Sequence, residues 1–194
     1  EIEKYPALLD ELLDPRLFTE QISAAGLEAD LDDTLRQLND RDSEGTIESL
    51  ARFQRTSMFR IAVADVSGTL PIMKVSDCLT VLAELVLRAA LSVAWRDLVE
   101  KHGEPHCDID GRRRKAGFGV VAYGKLGGME LSYGSDLDLV FLHDSVGAKQ
   151  ETDSQRPIDN RVFFGRLVRR LVHFLTTQTS SGALYEVDTR LRPS

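Results

Sequence analysis

At 194 residues, 42% hydrophobic and 28% charged, the chain has the make-up of a soluble globular protein with room for a sizeable core in one large or two small domains. Its formal net charge of −7 excludes a sequence-independent grip on nucleic acid through bulk charge. The opening residues do not read as a signal peptide, and no apolar run approaches the ~20 residues of a membrane span.

The first hundred residues read as helical. Leu8, Leu9, Leu12 and Leu13 form a short apolar stripe stopped by Asp14-Pro15. A second short helix is expected over 17–22, with Gly26 as punctuation. Leu27, Leu31, Leu35 and Leu38 are spaced for one helical face, and residues 39–45 are polar and turn-like. Ile47, Leu50, Phe53, Met58, Ile61, Ala62 and Val66 predict a long amphipathic helix ended by Ser67-Gly68. After Pro71, Ser76 and Asp77 are helix-start residues. From there to residue 99 the helix is apolar on more than one face, as in the middle of a bundle, with Trp95 expected in the core. Residues 101–115 hold Gly103, Pro105, Gly111 and three consecutive arginines, and read as an exposed linker and boundary.

The character changes after Ala116. Residues 118–123 predict a strand, and 124–128 a glycine-rich turn entering a short helix. Residues 137–142 form a near-continuous apolar strand of the kind covered on both faces. A polar loop is expected over 145–157. An amphipathic helix follows over 162–177, with Phe163, Phe164, Leu167, Val168, Leu171, Val172 and Leu175 inward and a solvated stripe of Arg161, Arg166, Arg169 and Arg170 opposite. Residues 184–191 alternate as a third strand. The whole is α+β: a helical region over 1–105, then a core over 106–194 with a small mixed sheet. Cys78 and Cys107 lie far apart in no paired motif, as expected of reduced thiols in the cytoplasm.

The chemistry concentrates in that core. Asp136 and Asp138 stand one residue apart at the head of an apolar strand, so both side chains project to one face. Paired carboxylates repel each other, and a divalent cation between them removes the cost. The upstream turn, Gly124-Lys125-Leu126-Gly127-Gly128, offers backbone N–H groups where phosphate oxygens can sit. Glu186, Asp188 and Arg190 share one face of the last strand, and Asp188 is the better third carboxylate, with Arg190 and Arg192 as cations near the phosphates. Two Mg²⁺ ions held by such carboxylates orient an attacking hydroxyl and neutralise a leaving pyrophosphate. No Walker A loop, serine elbow or zinc spacing accompanies these residues. His143-Asp144 is expected to be a surface or hydrogen-bonded pair.

Gly124-Lys125, then Asp136-Leu137-Asp138, then a later strand carboxylate, resembles the DNA polymerase beta-like nucleotidyltransferases, with Lys125 where that superfamily usually has serine. The runs Tyr-Gly-Lys-Leu-Gly-Gly-Met-Glu-Leu, Gly-Ser-Asp-Leu-Asp-Leu-Val-Phe-Leu-His-Asp and Leu-Tyr-Glu-Val-Asp-Thr-Arg-Leu-Arg-Pro-Ser resemble the glutamine synthetase adenylyltransferase family far more closely. So do Phe59-Arg60-Ile61-Ala62-Val63-Ala64-Asp65 and Leu70-Pro71-Ile72-Met73-Lys74-Val75-Ser76-Asp77. That family is bifunctional, with two similar halves, and the resemblance is to its C-terminal, adenylylating half. It implies a cytoplasmic nucleotidyltransferase moving AMP from ATP to a tyrosine of glutamine synthetase in the control of nitrogen assimilation. Asp136, Asp138 and Asp188 are the implied metal aspartates and catalytic centre. Gly124, Lys125, Gly127, Gly128 and Ser135 are expected to line the phosphates, and Arg190 and Arg192 to steady the triphosphate or brace the sheet. A PII-type signalling protein and the effector glutamine are the further partners implied for the full-length enzyme. Neither nucleic acid nor membrane is expected as a partner. Phosphorolytic removal of AMP from modified glutamine synthetase and a non-catalytic nucleotide-binding module are the alternatives. Both ends are expected to be internal to a longer polypeptide, the core being truncated at its C-terminal end, so that activity of the chain alone stays open.

Overall fold

Helix α1 (Ala24–Arg36) begins where the Ser23 hydroxyl accepts the Gly26 N–H at 3.1 Å. Gly26 therefore sits inside the first turn, and the cap at Ser23, not the glycine, marks the boundary. The computed structural model describes residues 22–38 and 42–189; the leucine stripe at 8–13, nearly all of the expected helix over 17–22, and Arg190 and Arg192 lie outside them. Leu27 and Leu31 bury the inner face of α1. Helix α2 (Ser43–Val66) is capped by Asp42, whose carboxylate accepts the Gly45 N–H at 2.8 Å. It stops at the expected glycine: Gly68 takes φ +73, and the amides of Ser67 and Gly68 return to the carbonyls of Val63 and Asp65. Helix α3 (Ile72–His102) starts earlier than Ser76. Pro71 holds the extended cap conformation at φ −61, and its carbonyl accepts the Lys74 and Val75 amides, which is the pre-organisation proline brings to a helix start. By length and composition alone α3 would suffice to cross a membrane, contrary to the expectation that no such run exists. Most of that stretch is buried in the protein interior instead.

Two stretches that read as linker and loop are strands. β1 (Pro105–Ile109) and β2 (Arg112–Lys115) form an antiparallel hairpin around Asp110 and Gly111, both with positive φ, the signature of a two-residue type I′ turn. β5 (Ala148–Thr152), inside the expected polar loop, pairs antiparallel with β1, giving the order β2-β1-β5. Gly147 makes this approach possible, because a Cβ there would collide with the Asp108 carbonyl. Cys107 anchors the small sheet in the core with no exposure, while Asp108 gathers Arg113 at 3.5 Å and Lys149 at 3.4 Å.

The second sheet carries the site. β3 (Phe118–Ala122) leads through the single-turn helix α4 (Gly124–Gly127) to β4 (Leu137–His143). β4 pairs antiparallel with β3 and parallel with the two-residue β6 (Val187–Asp188), in the order β3-β4-β6. Leu137 and Leu139 are buried but Leu142 is 55% exposed. The sheet is thus covered on one face only, and the near-continuous apolar run of β4 does not signify two-sided burial. Helix α5 (Asn160–Thr176) closes the covered side. Its fully buried Phe163 meets Trp95 of α3 edge-on at 5.5 Å between centroids, and Phe164 stacks on Phe118 of β3 at 5.6 Å. One aromatic layer therefore fastens helix bundle to sheet, with Trp95 partly buried and packed against the core rather than within it.

Charge fastens the same elements. Asp97 of α3 accepts the Arg170 Nε–H of α5 at 3.0 Å, and the Ser43 hydroxyl at the start of α2 lies 2.8 Å from both of its carboxylate oxygens. Burial alone would raise the Asp97 pKa, but Arg170, Ser43 and Arg96 outweigh it and hold the carboxyl below its usual range. A carboxylate whose folded pKa is depressed contributes its stability above the unfolded value of about 3.9 and loses it as pH falls through the folded one. Asp97→Asn is therefore expected to cost about 2 kcal/mol at pH 7, with the deficit against the unsubstituted chain shrinking below about pH 4. Thermal midpoints of the two proteins across that range check it.

Candidate metal and nucleotide site

The geometry starts from register. Leu137 lies opposite Val187 and Asp138 opposite Asp188 across the parallel β4–β6 pair, and the Leu137 N–H donates to the Glu186 carbonyl at 2.9 Å. Strand neighbours in register stand about 4.8 Å apart with side chains on one face, so two carboxylates from segments fifty residues apart are brought side by side. Leu137 and Leu139 point into the core, which turns Asp138 to the uncovered face, where it is half-buried, as is Asp188. Asp136 stands exposed immediately before β4. Glu186 falls outside β6 and is exposed, so Asp188 and not Glu186 is the acid paired with Asp138. Carboxylates this close repel unless a cation or donors compensate them, and an all-oxygen donor set suits Mg²⁺, which takes hard oxygen ligands.

The glycine turn forms the wall of this site. The Tyr123 N–H donates to the Asp138 carbonyl at 2.9 Å, and the chain then reverses at Gly124, φ +53. A Cβ on Gly124 would fall inside contact distance of Asp138 Oδ2. Backbone conformation and proximity both demand glycine there. Gly127 is required for a different reason, since its Cβ would lie 2.6 Å from the Ala122 carbonyl oxygen. The amides of Gly127 and Gly128 are used within the turn, donating to Tyr123 and Gly124 carbonyls at 3.0 and 2.9 Å. The amides of Gly124, Lys125 and Leu126 come before the first intrahelical bond, and these are the ones at the open end of the turn. The Lys125 side chain is exposed.

The approach to Asp136 is a second tight turn. The Ser135 N–H donates to the Ser132 carbonyl at 3.1 Å, the two hydroxyls lie 2.8 Å apart, and Gly134 takes φ +71. Ser135 is thus tied to Ser132. The Tyr133 phenol reaches out and donates to Asp65 Oδ2 of α2 at 3.2 Å. Burial and the neighbouring Asp65 carboxylate push the Tyr133 pKa up to about 12. Sequence reasoning gave neither residue a role. The available signals were a tyrosine inside an otherwise small, polar turn and an acid in the last turn of a helix.

Other ionisable groups do structural work. His143 stacks on Phe164 at 4.7 Å, and Asp144 Oδ1 accepts the Gly117 N–H at 2.5 Å. Glu104, His106 and Asp153 bring potential ligand atoms within 4.8 Å of one another, but they are tied to their own neighbours. The Glu104 N–H donates to Asp153 Oδ1 at 2.7 Å, the Asp153 N–H to the Glu104 carbonyl at 3.0 Å, His106 Nδ1 lies 3.0 Å from the same carbonyl, and Lys115 pairs with the Glu104 carboxylate. This cluster joins the end of α3 to the small sheet. Cys78 and Cys107 are free and buried, and burial pushes the Cys78 thiol pKa up.

Comparison with known proteins places the chain in a family. The family described as glutamate-ammonia ligase adenylyltransferase matches residues 1–194. Over its whole length the chain is 52% identical to a bifunctional glutamine synthetase adenylyltransferase/adenylyl-removing enzyme of Thioalkalivibrio sulfidiphilus. It is 48% and 47% identical to proteins of the same description from Nitrosococcus oceani and Vibrio parahaemolyticus. It spans 20% of the length of each of these relatives. The chain belongs to the glutamate-ammonia ligase adenylyltransferase family.

Proposed function

We propose that this chain carries the adenylylating centre of its parent enzyme, a soluble cytoplasmic protein that transfers AMP from ATP to a tyrosine of glutamine synthetase and so regulates nitrogen assimilation. The observation that supports this reading best is the in-register pair Asp138–Asp188 on the open face of the sheet, with Asp136 beside it and the Gly124 turn against it. Asp136, Asp138 and Asp188 would hold two Mg²⁺ ions, which supply charge neutralisation for the triphosphate. The open amides of the Gly124 turn and the Lys125 side chain contact phosphate oxygens, with Gly127, Gly128 and Ser135 shaping the turns, and Arg190 and Arg192 follow Asp188 in sequence. In the reaction the tyrosine oxygen forms a bond to the α-phosphorus, the bond to the bridging oxygen breaks, and pyrophosphate leaves with its electron pair. Asp188 would take the proton of the entering phenol. A PII-type signalling protein and glutamine act on the full-length enzyme.

The relatives' description also names an adenylyl-removing activity, and phosphorolysis could use the same carboxylates. The two readings separate in the intact bifunctional enzyme carrying Asp136→Asn. ATP-dependent AMP incorporation is expected to fall to background while phosphate-dependent release of ADP from modified glutamine synthetase persists. The opposite pattern would assign this chain to AMP removal.

A further inference from the structure

We propose that Tyr133 and Asp65 are positioning residues: their hydrogen bond ties the turn bearing Asp136 to helix α2, so that the place of a metal-binding carboxylate is set from the helical region. The inference rests on the metal-site reading of Asp136 given above. Between buried Leu131 and buried Leu137 the chain is exposed except at half-buried Ser135. Both ends are fixed by the core, but Asp136 itself precedes the β4 ladder and is exposed. Within that segment the bonds between Ser132 and Ser135 close the turn on itself. They set its shape without setting where it stands. Gly134, at φ +71, adds a position of high conformational freedom two residues before Asp136. Among the described residues, the hydrogen bond that links this turn to another element is the one from the Tyr133 phenol to Asp65 Oδ2 at 3.2 Å.

Asp65 points the same way on separate grounds. It lies in the last turn of α2, at the negative end of the helix dipole, where a carboxylate is disfavoured. It pairs with no cation among the described residues, whereas its phenol partner lies 68 residues away. An acid kept at an unfavourable helix end, aimed at a tyrosine from the site turn, is what a tether requires. Partners that orient a metal ligand from behind typically change metal affinity 10–100-fold when removed.

The test is a Mn²⁺ titration of the chain in the presence of ATP, read by electron paramagnetic resonance, with thermal midpoints measured alongside. Tyr133→Phe and Asp65→Ala are each expected to weaken Mn²⁺ binding about 10-fold, and their combination no more than either alone. Asp65→Asn keeps an acceptor oxygen for the phenol and is expected to stay within about threefold of the unsubstituted chain. Asp136→Asn serves as the control for the site. If it abolishes Mn²⁺ binding while Tyr133→Phe binds as tightly as the unsubstituted chain, the tether is overturned and the site stands. If Tyr133→Phe loses affinity only in proportion to a loss of folded protein, the bond is structural and the proposal also falls. If Asp136→Asn binds Mn²⁺ normally, or the unsubstituted chain binds none, the site reading fails and takes the tether with it.

Discussion

Replacing Asp138 with Asn is expected to lower AMP transfer by the intact enzyme at least about 10³-fold, which at 1.36 kcal/mol per decade is about 4 kcal/mol of transition-state stabilisation. Asp138 is the carboxylate on which the site converges: it faces Asp188 in register, its own backbone receives the Tyr123 N–H, and the Gly124 turn passes against its Oδ2. An amide keeps the shape and loses the charge, so on the proposed reading the change would remove metal and phosphate neutralisation while sparing packing. Stability should respond far less. Asp138 is half-buried on the uncovered face of the sheet, and the thermal midpoint of Asp138→Asn in chelator is expected to stay near that of the unsubstituted chain. Steady-state labelling and a thermal scan in chelator check the two halves. A variant that loses stability and activity together would make Asp138 a structural residue.

Gly124→Ala tests the wall of the site. The left-handed backbone at φ +53 costs a non-glycine residue about 1–2 kcal/mol, and the new methyl group collides with Asp138 Oδ2. The carboxylate has to move from its place, and displacement of a group in the site on the scale of 1 Å costs about 10²-fold in rate. Gly119→Ala on β3 is the matched control. Nothing lies within 4 Å of a Cβ there, and activity and midpoint are expected to stay near those of the unsubstituted chain. Equal effects at both glycines would remove the special role of the turn.

The helices were readable because each obeys one strong local rule. The apolar period of α2 buries Ile47, Leu50, Phe53 and Ile61, whereas Val66 at its end is 90% exposed, and the helix stops at a glycine with positive φ; the inward face of α5 is the one its aromatic and leucine residues define. The start of α3 was misplaced because a proline before a helix reads as a break, although its fixed φ also makes it a start. Strands β1, β2 and β5 were hidden by composition. β2 is wholly basic and exposed, β5 is mostly exposed, and in the central β1 only Pro105 and Cys107 mark the inner side. Short edge strands such as β2 and β5 carry almost no hydrophobic alternation. The carboxylates themselves were conspicuous, since a charged pair at the head of an apolar strand needs a reason. Their partners in space were not legible in the same way. Placing Asp188 beside Asp138 is a matter of parallel register between distant segments, and the Tyr133–Asp65 bond joins residues separated by most of a domain. Pairings of that range leave no period in the sequence to read.

The central claim is tested most directly by offering the intact enzyme glutamine synthetase and Mg²⁺ with ATP labelled either at the α- or at the γ-phosphorus. Incorporation of α-label alone into a glutamine synthetase tyrosine, with γ-label recovered as pyrophosphate and both lost on Asp138→Asn, is the expected result. Transfer of the γ-label, or α-label incorporation that is indifferent to Asp138→Asn, would contradict it.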